Sequence, residues 1–199
     1  MKWDILKVED LYQGFFKLCR LRLSHGRFAG GEPLVVEREL IRRGPAAAVL
    51  PYDPDTDRVL LVEQFRVGAI ESPHGPWLME TIAGLIEPGE RAEDVARREA
   101  LEEADCSLGE LVLAHEYFST PGSSDERISV YVGQADLSAA RSGIHGLVDE
   151  GEEIRTHVLP ADEAFDWLDR QQVDTAFPII ALQWLRLNRE MLQERWGSG

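Results

Sequence analysis

Residues 84–106, GLIEPGERAEDVARREALEEADC, decide the fold of this chain. A loop rich in glycine and proline leads into a helix whose charged side chains include Arg98, Glu99, Glu102 and Glu103. Glu99 and Glu103 are four residues apart, so in a helix they leave the same face with about 5–6 Å between their Cβ atoms. Carboxylates this close repel one another unless a cation lies between them. Oxygen ligands of this kind suit hard divalent ions such as Mg²⁺ or Mn²⁺.

Small apolar residues recur at every fourth position of the same helix, at Ala92, Ala96, Ala100 and Ala104. Such a stripe allows a helix backbone to pack closely against a sheet. The glutamates flank the stripe, so we expect them at the edge of the packed face, beside a cleft. A solvated acidic surface is the simpler interpretation of a glutamate pair, but the stripe and the irregular loop together favour a site.

Length and charge restrict the class of protein. The chain has 199 residues, of which 44% are hydrophobic, enough for one sizeable domain or a domain with a short extension. The net charge of −15 argues against binding to nucleic acid or to an anionic membrane. A negatively charged substrate would therefore have to be held by metal ions and a few local arginines.

The sequence also indicates a compartment. No apolar run reaches the roughly 18 residues of a membrane span, and residues 1–14 lack the apolar segment of a signal peptide. Cys19 and Cys106 fit no metal or redox spacing and are expected to be reduced thiols. We therefore predict a cytoplasmic protein.

Strands dominate before the acidic helix, and strands followed by two helices come after it. We predict a short helix or a loose arm for residues 1–10, and an N-terminal β-hairpin that is too small to be stable alone. The hairpin strands are 18–24 and 34–41, the later strands are 46–51, 58–66, 77–83, 111–118, 127–134 and 154–159, and the later helices are 160–169 and 175–196. This order indicates a mixed α/β sandwich instead of an alternating βαβ fold. The long polar segment 136–151 is expected to be functional, as long loops in compact domains often are.

The acidic stretch resembles the Nudix box, G-x5-E-x7-R-E-U-x-E-E-x-G-U, in which U is a bulky aliphatic residue. Six positions are in register with it, Gly84, Glu90, Arg98, Glu99, Glu102 and Glu103. Ala100 is smaller than the usual aliphatic residue, and Asp105 replaces the last glycine. Asp105 would lie just past the helix in a left-handed conformation, which Asp tolerates better than most residues. Neither departure changes a metal-ligand position.

The resemblance extends over nearly the whole chain and is to the bacterial ADP-ribose pyrophosphatase branch of the family. It runs through segments 12–16, 36–54, 59–66, 120–127 and 143–158. It implies a Nudix-type α/β/α sandwich with a mixed sheet at residues 45–199. Residues 1–44 would be a strand and dimerisation region, exchanged between the subunits of a homodimer. The implied reaction is hydrolysis of the diphosphate of ADP-ribose to AMP and ribose 5-phosphate.

The resemblance also implies roles for single residues. Two or three Mg²⁺ ions, with Mn²⁺ as an alternative, would be bound by Glu99, Glu103, Glu152 and the backbone carbonyl of Ala83. Glu150 would be the catalytic base. Because acidic residues crowd positions 149–153, Glu152 and Glu153 remain alternatives for the base. Arg98 is expected to pair with Glu90 and fix the geometry between loop and helix.

The implied substrate contacts lie outside the box. Phe15 and Phe16 would lie near the adenine, and Arg66 would contact the diphosphate with its fork of donors. The other matching positions are Arg38, Glu39, Arg43, Leu85, Thr120, Pro121, Gly122 and Glu126. Alternatively, the two phenylalanines could be interface core, and Arg38 or Arg43 could form surface ion pairs.

Two other functions stay open. The first is hydrolysis of GDP-mannose or another nucleoside diphosphate sugar in the same fold. The second is a non-catalytic sensor of ADP-ribose, which we disfavour because all the glutamates of the metal site and the base are present.

Overall fold

A computed structural model describes residues 1–140, 142–146, 151 and 153–198. It separates into two compact units, Met1–Pro45 with Phe118–Arg127, and Ala46–Tyr117 with Ile128–Gly199. The described elements are, in order, β1 (Trp3–Gln13), β2 (Lys17–His25), β3 (Leu34–Arg42), β4 (Ala46–Asp53), β5 (Arg58–Phe65), a short 3₁₀ helix (Val67–Ala69), β6 (Trp77–Glu80), β7 (Ile82–Leu85), α1 (Ala92–Ala104), β8 (Leu111–Phe118), β9 (Arg127–Gln134), β10 (Ile144–His145), β11 (Ile154–Pro160), α2 (Ala161–Asp169) and α3 (Ala176–Trp196).

The N-terminal unit contains an antiparallel sheet of three strands in the order β1-β2-β3. The expected helix or loose arm at residues 1–10 was therefore wrong, and the expected hairpin has a third strand. Two register shifts explain the error, one between Ile5 and Lys7 and one between Asp10 and Tyr12. Each shift adds a residue to one strand and so interrupts the alternation by which a strand is recognised. Every residue of β1 is exposed.

The larger unit is built on an eight-stranded sheet in the order β10-β11-β5-β4-β9-β8, with β6 paired to β5 and β7 paired to β4. The sheet is mixed, because β4 runs parallel to β9 and antiparallel to β5 and β7. The expected strand at 77–83 is two strands, since the chain leaves β5 at Glu80 and joins β4 at Ile82. The mixed α/β fold expected from the order of elements is confirmed.

Strand β4 is buried along its whole length and separates two hydrophobic clusters. Successive side chains of a strand point to opposite faces. Leu50 and Tyr52 accordingly pack in one cluster with residues of α2 and α3, whereas Ala47 and Val49 pack in the other with residues of α1. Helices therefore cover both faces of this sheet. No helix in the described ranges is long and apolar enough to cross a membrane.

Helix α1 packs through its small residues. Val95, Ala96 and Ala100 are buried in the cluster that contains Ile82 of β7. The helix ends at Asp105, which is left-handed with φ 47° and ψ 38°, and whose N–H donates to the carbonyl of Leu101 at 3.0 Å. Both the alanine stripe and the left-handed aspartate were expected from the sequence. The small buried residues allow α1 to pack against β7.

Candidate active site

The carboxylate of Glu99 lies directly against Gly84 of β7. A Cβ atom on Gly84 would lie 1.9 Å from Glu99 Oε1 and 2.2 Å from its Cδ, so any other residue would displace this side chain. Ala83, whose carbonyl is a predicted ligand, is the preceding residue of the strand. The glycine thus allows a helix carboxylate to reach the strand end where that carbonyl lies.

Glu103 lies one helical turn after Glu99 and is 5% exposed. Carboxylate and carbonyl oxygens are the donors that hard divalent cations prefer, so the residues present fit a site for Mg²⁺ or Mn²⁺. Among the described residues, no group of three or more carboxylate, imidazole or thiolate side chains is arranged to hold a metal ion. The predicted base Glu150 and the predicted ligand Glu152 lie outside the described residues.

Arg98 connects the box loop with the helix. Its Nη1 is 2.8 Å from Glu99 Oε1 and 3.1 Å from Glu102 Oε2, and its Nε is 3.8 Å from Glu90 Oε1. The expected pairing with Glu90 is therefore present, and Arg98 also holds Glu99, which the sequence did not predict. Burial alone would lower the pKa of Arg98, but Glu99 and Glu102 outweigh it and raise that pKa. The guanidinium thus stays charged and fixes the carboxylate.

Glu90 in turn orders the loop before α1. Its Oε2 accepts a hydrogen bond of 2.9 Å from the N–H of Glu87, and its own N–H donates to the Glu87 carbonyl at 3.0 Å. Gly89 provides the left-handed turn between them, with φ 95°. The spacing between Glu90 and Arg98 thus has a local reason, because the two residues join the loop to the helix.

Arg66, the predicted diphosphate contact, follows β5. Its Nε and Nη2 donate to Glu80 Oε2 at 3.0 and 2.7 Å, and Gln64 Nε2 donates to the same oxygen at 3.3 Å. Glu80 was not among the residues expected from the sequence. Residues 64 and 66 share a face, but only the pairing of β6 with β5 brings Glu80 beside them. Leu85, another predicted contact, is exposed at the end of β7.

In the N-terminal unit, four of the predicted substrate contacts lie together. The guanidinium carbon of Arg43 lies 5.0 Å from the ring centre of Phe16, within the range of a cation–π interaction. Arg43 Nε donates to the Glu126 carboxylate. The Phe15 ring meets that of Phe16 edge to face, at 4.8 Å between centres, and is 86% exposed. Aromatic faces next to a paired arginine form a surface on which a nucleobase can stack.

Asp125 organises this surface and was missed in the sequence. Its Oδ1 accepts the N–H of Arg43 at 2.8 Å, and its Oδ2 accepts from Arg42 Nη1 at 3.0 Å. Burial alone would raise the pKa of Asp125, but the hydrogen bonds from Arg43 and Arg42 lower it. No sequence signal identifies a contact between residues more than 80 positions apart.

The other predicted contacts of this unit are at its surface. Thr120, Pro121 and Gly122 are exposed, in a turn closed by the hydrogen bond from the Ser123 N–H to the Thr120 carbonyl at 3.0 Å. The remaining two lie on β3 and have their own partners: Arg38 donates to the Glu37 carbonyl at 2.7 Å, and Glu39 pairs with Arg20 at 3.3 Å.

Known proteins resemble this chain in sequence and in fold. A family model described as the NUDIX domain matches residues 42–184. The chain is 45% identical over 193 residues to the ADP-ribose pyrophosphatase of Escherichia coli K12, covering 97% of this chain and 92% of that protein. It is 45% identical over 196 residues to that of Haemophilus influenzae, covering 97% and 90%.

Two more distant matches complete the comparison. The GDP-mannose pyrophosphatase of Klebsiella pneumoniae is 32% identical over 184 residues, covering 92% of this chain and 90% of that protein. A solved structure described as the crystal structure of an ADP compounds hydrolase has a TM-score of 0.71 at 23% identity, covering 98% of this chain and 96% of that one. This structural likeness shows the fold.

Proposed function

This chain belongs to the Nudix family, and we propose that it is an ADP-ribose pyrophosphatase that hydrolyses the diphosphate of its substrate to AMP and ribose 5-phosphate. One observation carries the proposal. The chain is 45% identical to bacterial ADP-ribose pyrophosphatases over 97% of its length. That match includes the segments outside the box, where a substrate preference would be encoded.

We propose that Glu99, Glu103, Glu152 and the Ala83 carbonyl hold two or three Mg²⁺ ions, which Mn²⁺ could replace. The contact of Glu99 with Gly84 supports these ligands. It brings the Glu99 carboxylate next to Gly84, and the preceding residue is Ala83, whose carbonyl is a proposed ligand. When bound, such ions neutralise phosphate oxygens and lower the pKa of the attacking water. Arg98 keeps Glu99 in place through their 2.8 Å contact.

Two side chains act directly on the attacking water and the diphosphate, Glu150 and Arg66. Glu150 takes the proton from the attacking water, which attacks one phosphorus in line with the departing oxygen. Arg66 binds the diphosphate with its remaining donors, since a guanidinium fork matches the geometry of phosphate oxygens. The carboxylate of Glu80 holds Arg66 through an ion pair of 2.7 Å.

The remaining proposed contacts hold the adenosine and the ribose. Phe15 and Phe16 stack on the adenine, supported by their exposed edge-to-face arrangement. Arg43 and Glu126 orient Phe16 through the ion pair between them. The other proposed lining residues are Arg38, Glu39, Leu85, Thr120, Pro121 and Gly122.

We propose further that residues 1–44 form a dimerisation region whose strands are exchanged between two subunits, with the substrate between the subunits, and that residues 45–199 form the Nudix domain. The apolar side chains of β1 support this: Trp3 is 69% exposed, Leu6 is 53% exposed and Val8 is 50% exposed. Exposed apolar surface of this kind marks an interaction site. Light scattering after size-exclusion chromatography tests the proposal, and a monomer at micromolar concentration would contradict it.

A panel of nucleoside diphosphate sugars assayed with Mg²⁺ tests the substrate. We expect the highest kcat/KM for ADP-ribose. Hydrolysis of GDP-mannose is the second candidate, because a GDP-mannose pyrophosphatase is 32% identical over 92% of this chain. A higher kcat/KM for GDP-mannose than for ADP-ribose would favour it.

A further inference from the structure

We propose that Glu80 is a positioning residue, which orients the guanidinium of Arg66 for the substrate; this inference rests on the proposed function. The two Arg66 donors and the Gln64 amide converge on one oxygen, Glu80 Oε2, at 3.0, 2.7 and 3.3 Å. Among the described residues, no hydrogen bond uses Arg66 Nη1. Because Nε and Nη2 donate to the same oxygen, Cζ–Nη1 points directly away from that oxygen, so the direction of Nη1 is fixed.

The burial of the pair is asymmetric. The Glu80 side chain is 4% exposed, whereas that of Arg66 is 40% exposed. This arrangement, with a buried carboxylate and a partly exposed guanidinium, is expected if the carboxylate orients the arginine and the arginine binds a ligand. A surface ion pair, by contrast, would expose both partners and would hold neither of them firmly.

The pair lies on the α1 face of the sheet. Val62 is directly opposite Glu80 in the pairing of β5 with β6, so their side chains share a face. Val62 packs in the cluster that contains Val95 and Ala100 of α1. Gln64 and Arg66 continue the same face, because they follow Val62 at intervals of two. Arg66 is thus held on the face where α1 carries Glu99 and Glu103.

The backbone of Arg66 is also fixed. Its N–H donates to the Pro76 carbonyl at 2.7 Å, next to the Phe65–Trp77 pair that ends the β5–β6 pairing. Backbone and side chain are therefore both anchored, and in the described part of the chain the buried carboxylate of Glu80 is the acidic group that pairs with the guanidinium. Loss of this charge should loosen the orientation of Arg66 without removing its own charge.

The test is a double-mutant cycle on the full-length protein, with ADP-ribose at saturating Mg²⁺. Glu80→Gln is expected to raise KM about tenfold, about 1.4 kcal/mol, and to change kcat by less than about threefold. In the Arg66→Ala background the same substitution should change KM by less than about twofold, because no guanidinium remains to be oriented. It should also raise the unfolding temperature of Arg66→Ala, since a buried unpaired carboxylate is removed.

Glu63→Gln is the matched control. Glu63 is on β5 and pairs with Arg155 at 3.2 Å, but it faces the other side of the sheet because it is adjacent to Gln64. Its substitution should leave KM unchanged. If Glu80→Gln does not fold, Glu80→Asp tests the same point, since it keeps the charge but withdraws the acceptor by about one carbon–carbon bond, ~1.5 Å.

The outcomes separate the two proposals. A folded Glu80 variant with an unchanged KM, or an equal rise in KM with and without Arg66, would overturn the positioning role. A wild-type protein that does not hydrolyse ADP-ribose would instead overturn the proposed function. If the wild type hydrolyses ADP-ribose and the double-mutant cycle gives the expected changes in KM, both the proposed function and the positioning role are supported.

Discussion

The contact between Gly84 and Glu99 makes a specific prediction for the substitution Gly84→Ala. The new methyl carbon would lie 1.9 Å from Glu99 Oε1, whereas an ordinary contact is at least 3.4 Å. The carboxylate must therefore retreat by about 1.5 Å, the difference between these two distances. The carboxylate is the end of the flexible Glu99 side chain, so it can move at a small cost in stability. It would then leave the position proposed for metal binding.

The expected result is a loss of activity in a folded protein. A misplacement of about 1 Å at a catalytic centre can reduce the rate about 100-fold, and we predict a fall in kcat of this order for Gly84→Ala. The Mg²⁺ concentration required for half-maximal activity should rise as well. The unfolding temperature should fall by no more than about 4 °C, as for a change of ~1 kcal/mol in a chain of this size.

The assay measures AMP release from ADP-ribose across a Mg²⁺ titration, with thermal unfolding followed by circular dichroism. Gly68→Ala is the control, because a Cβ atom there meets nothing within 4 Å, and it should behave as the wild type. If Gly84→Ala kept the wild-type kcat and Mg²⁺ dependence, the reasoning that Glu99 must be seated against this glycine would be refuted.

Three further predictions concern other groups of the site. Glu103→Gln should reduce kcat by orders of magnitude and leave the circular dichroism spectrum intact; full activity at saturating Mg²⁺ would remove Glu103 from the metal site. Glu150→Gln should lower kcat more than it changes the affinity for Mg²⁺ or ADP-ribose; if Glu152→Gln or Glu153→Gln has this effect instead, the base is one of those residues. Because the Asp125 carboxyl has a lowered pKa in the folded protein, its stabilisation is present at neutral pH and is lost as the pH falls through that pKa. Asp125→Asn should therefore lower the unfolding temperature by a few degrees at pH 7 and by less below about pH 4, and an equal loss at both pH values would contradict the role of its charge.

The sequence was most informative where the interactions are local. The alanine stripe of α1 predicts its buried face, and the left-handed Asp105 follows from its place just after the helix. The contact of Arg98 with Glu90 was implied by the resemblance to the Nudix box, and it joins residues that are close in the chain. The helical period of the alanine stripe depends on backbone geometry alone.

Non-local features were not predictable in the same way. Strand β1 was missed because two bulges interrupt its alternation. The contacts of Asp125 with Arg42 and Arg43 join distant parts of the sequence, and those of Glu80 with Arg66 depend on the register between β5 and β6. Register is set by the packing of whole strands, which a single sequence motif does not encode. The roles of Glu150 and Glu152 remain predictions, since both residues lie outside the described part of the chain.

Hydrolysis of the diphosphate of ADP-ribose is the central claim, and mass spectrometry of the products tests it most directly. Purified protein is incubated with ADP-ribose and Mg²⁺ in water enriched in ¹⁸O, with a parallel sample that contains excess EDTA. We predict AMP and ribose 5-phosphate, one of them carrying a single ¹⁸O on its phosphate, and no products in the presence of EDTA. Intact ADP-ribose after prolonged incubation with Mg²⁺, or products in which the diphosphate is uncleaved, would contradict the account.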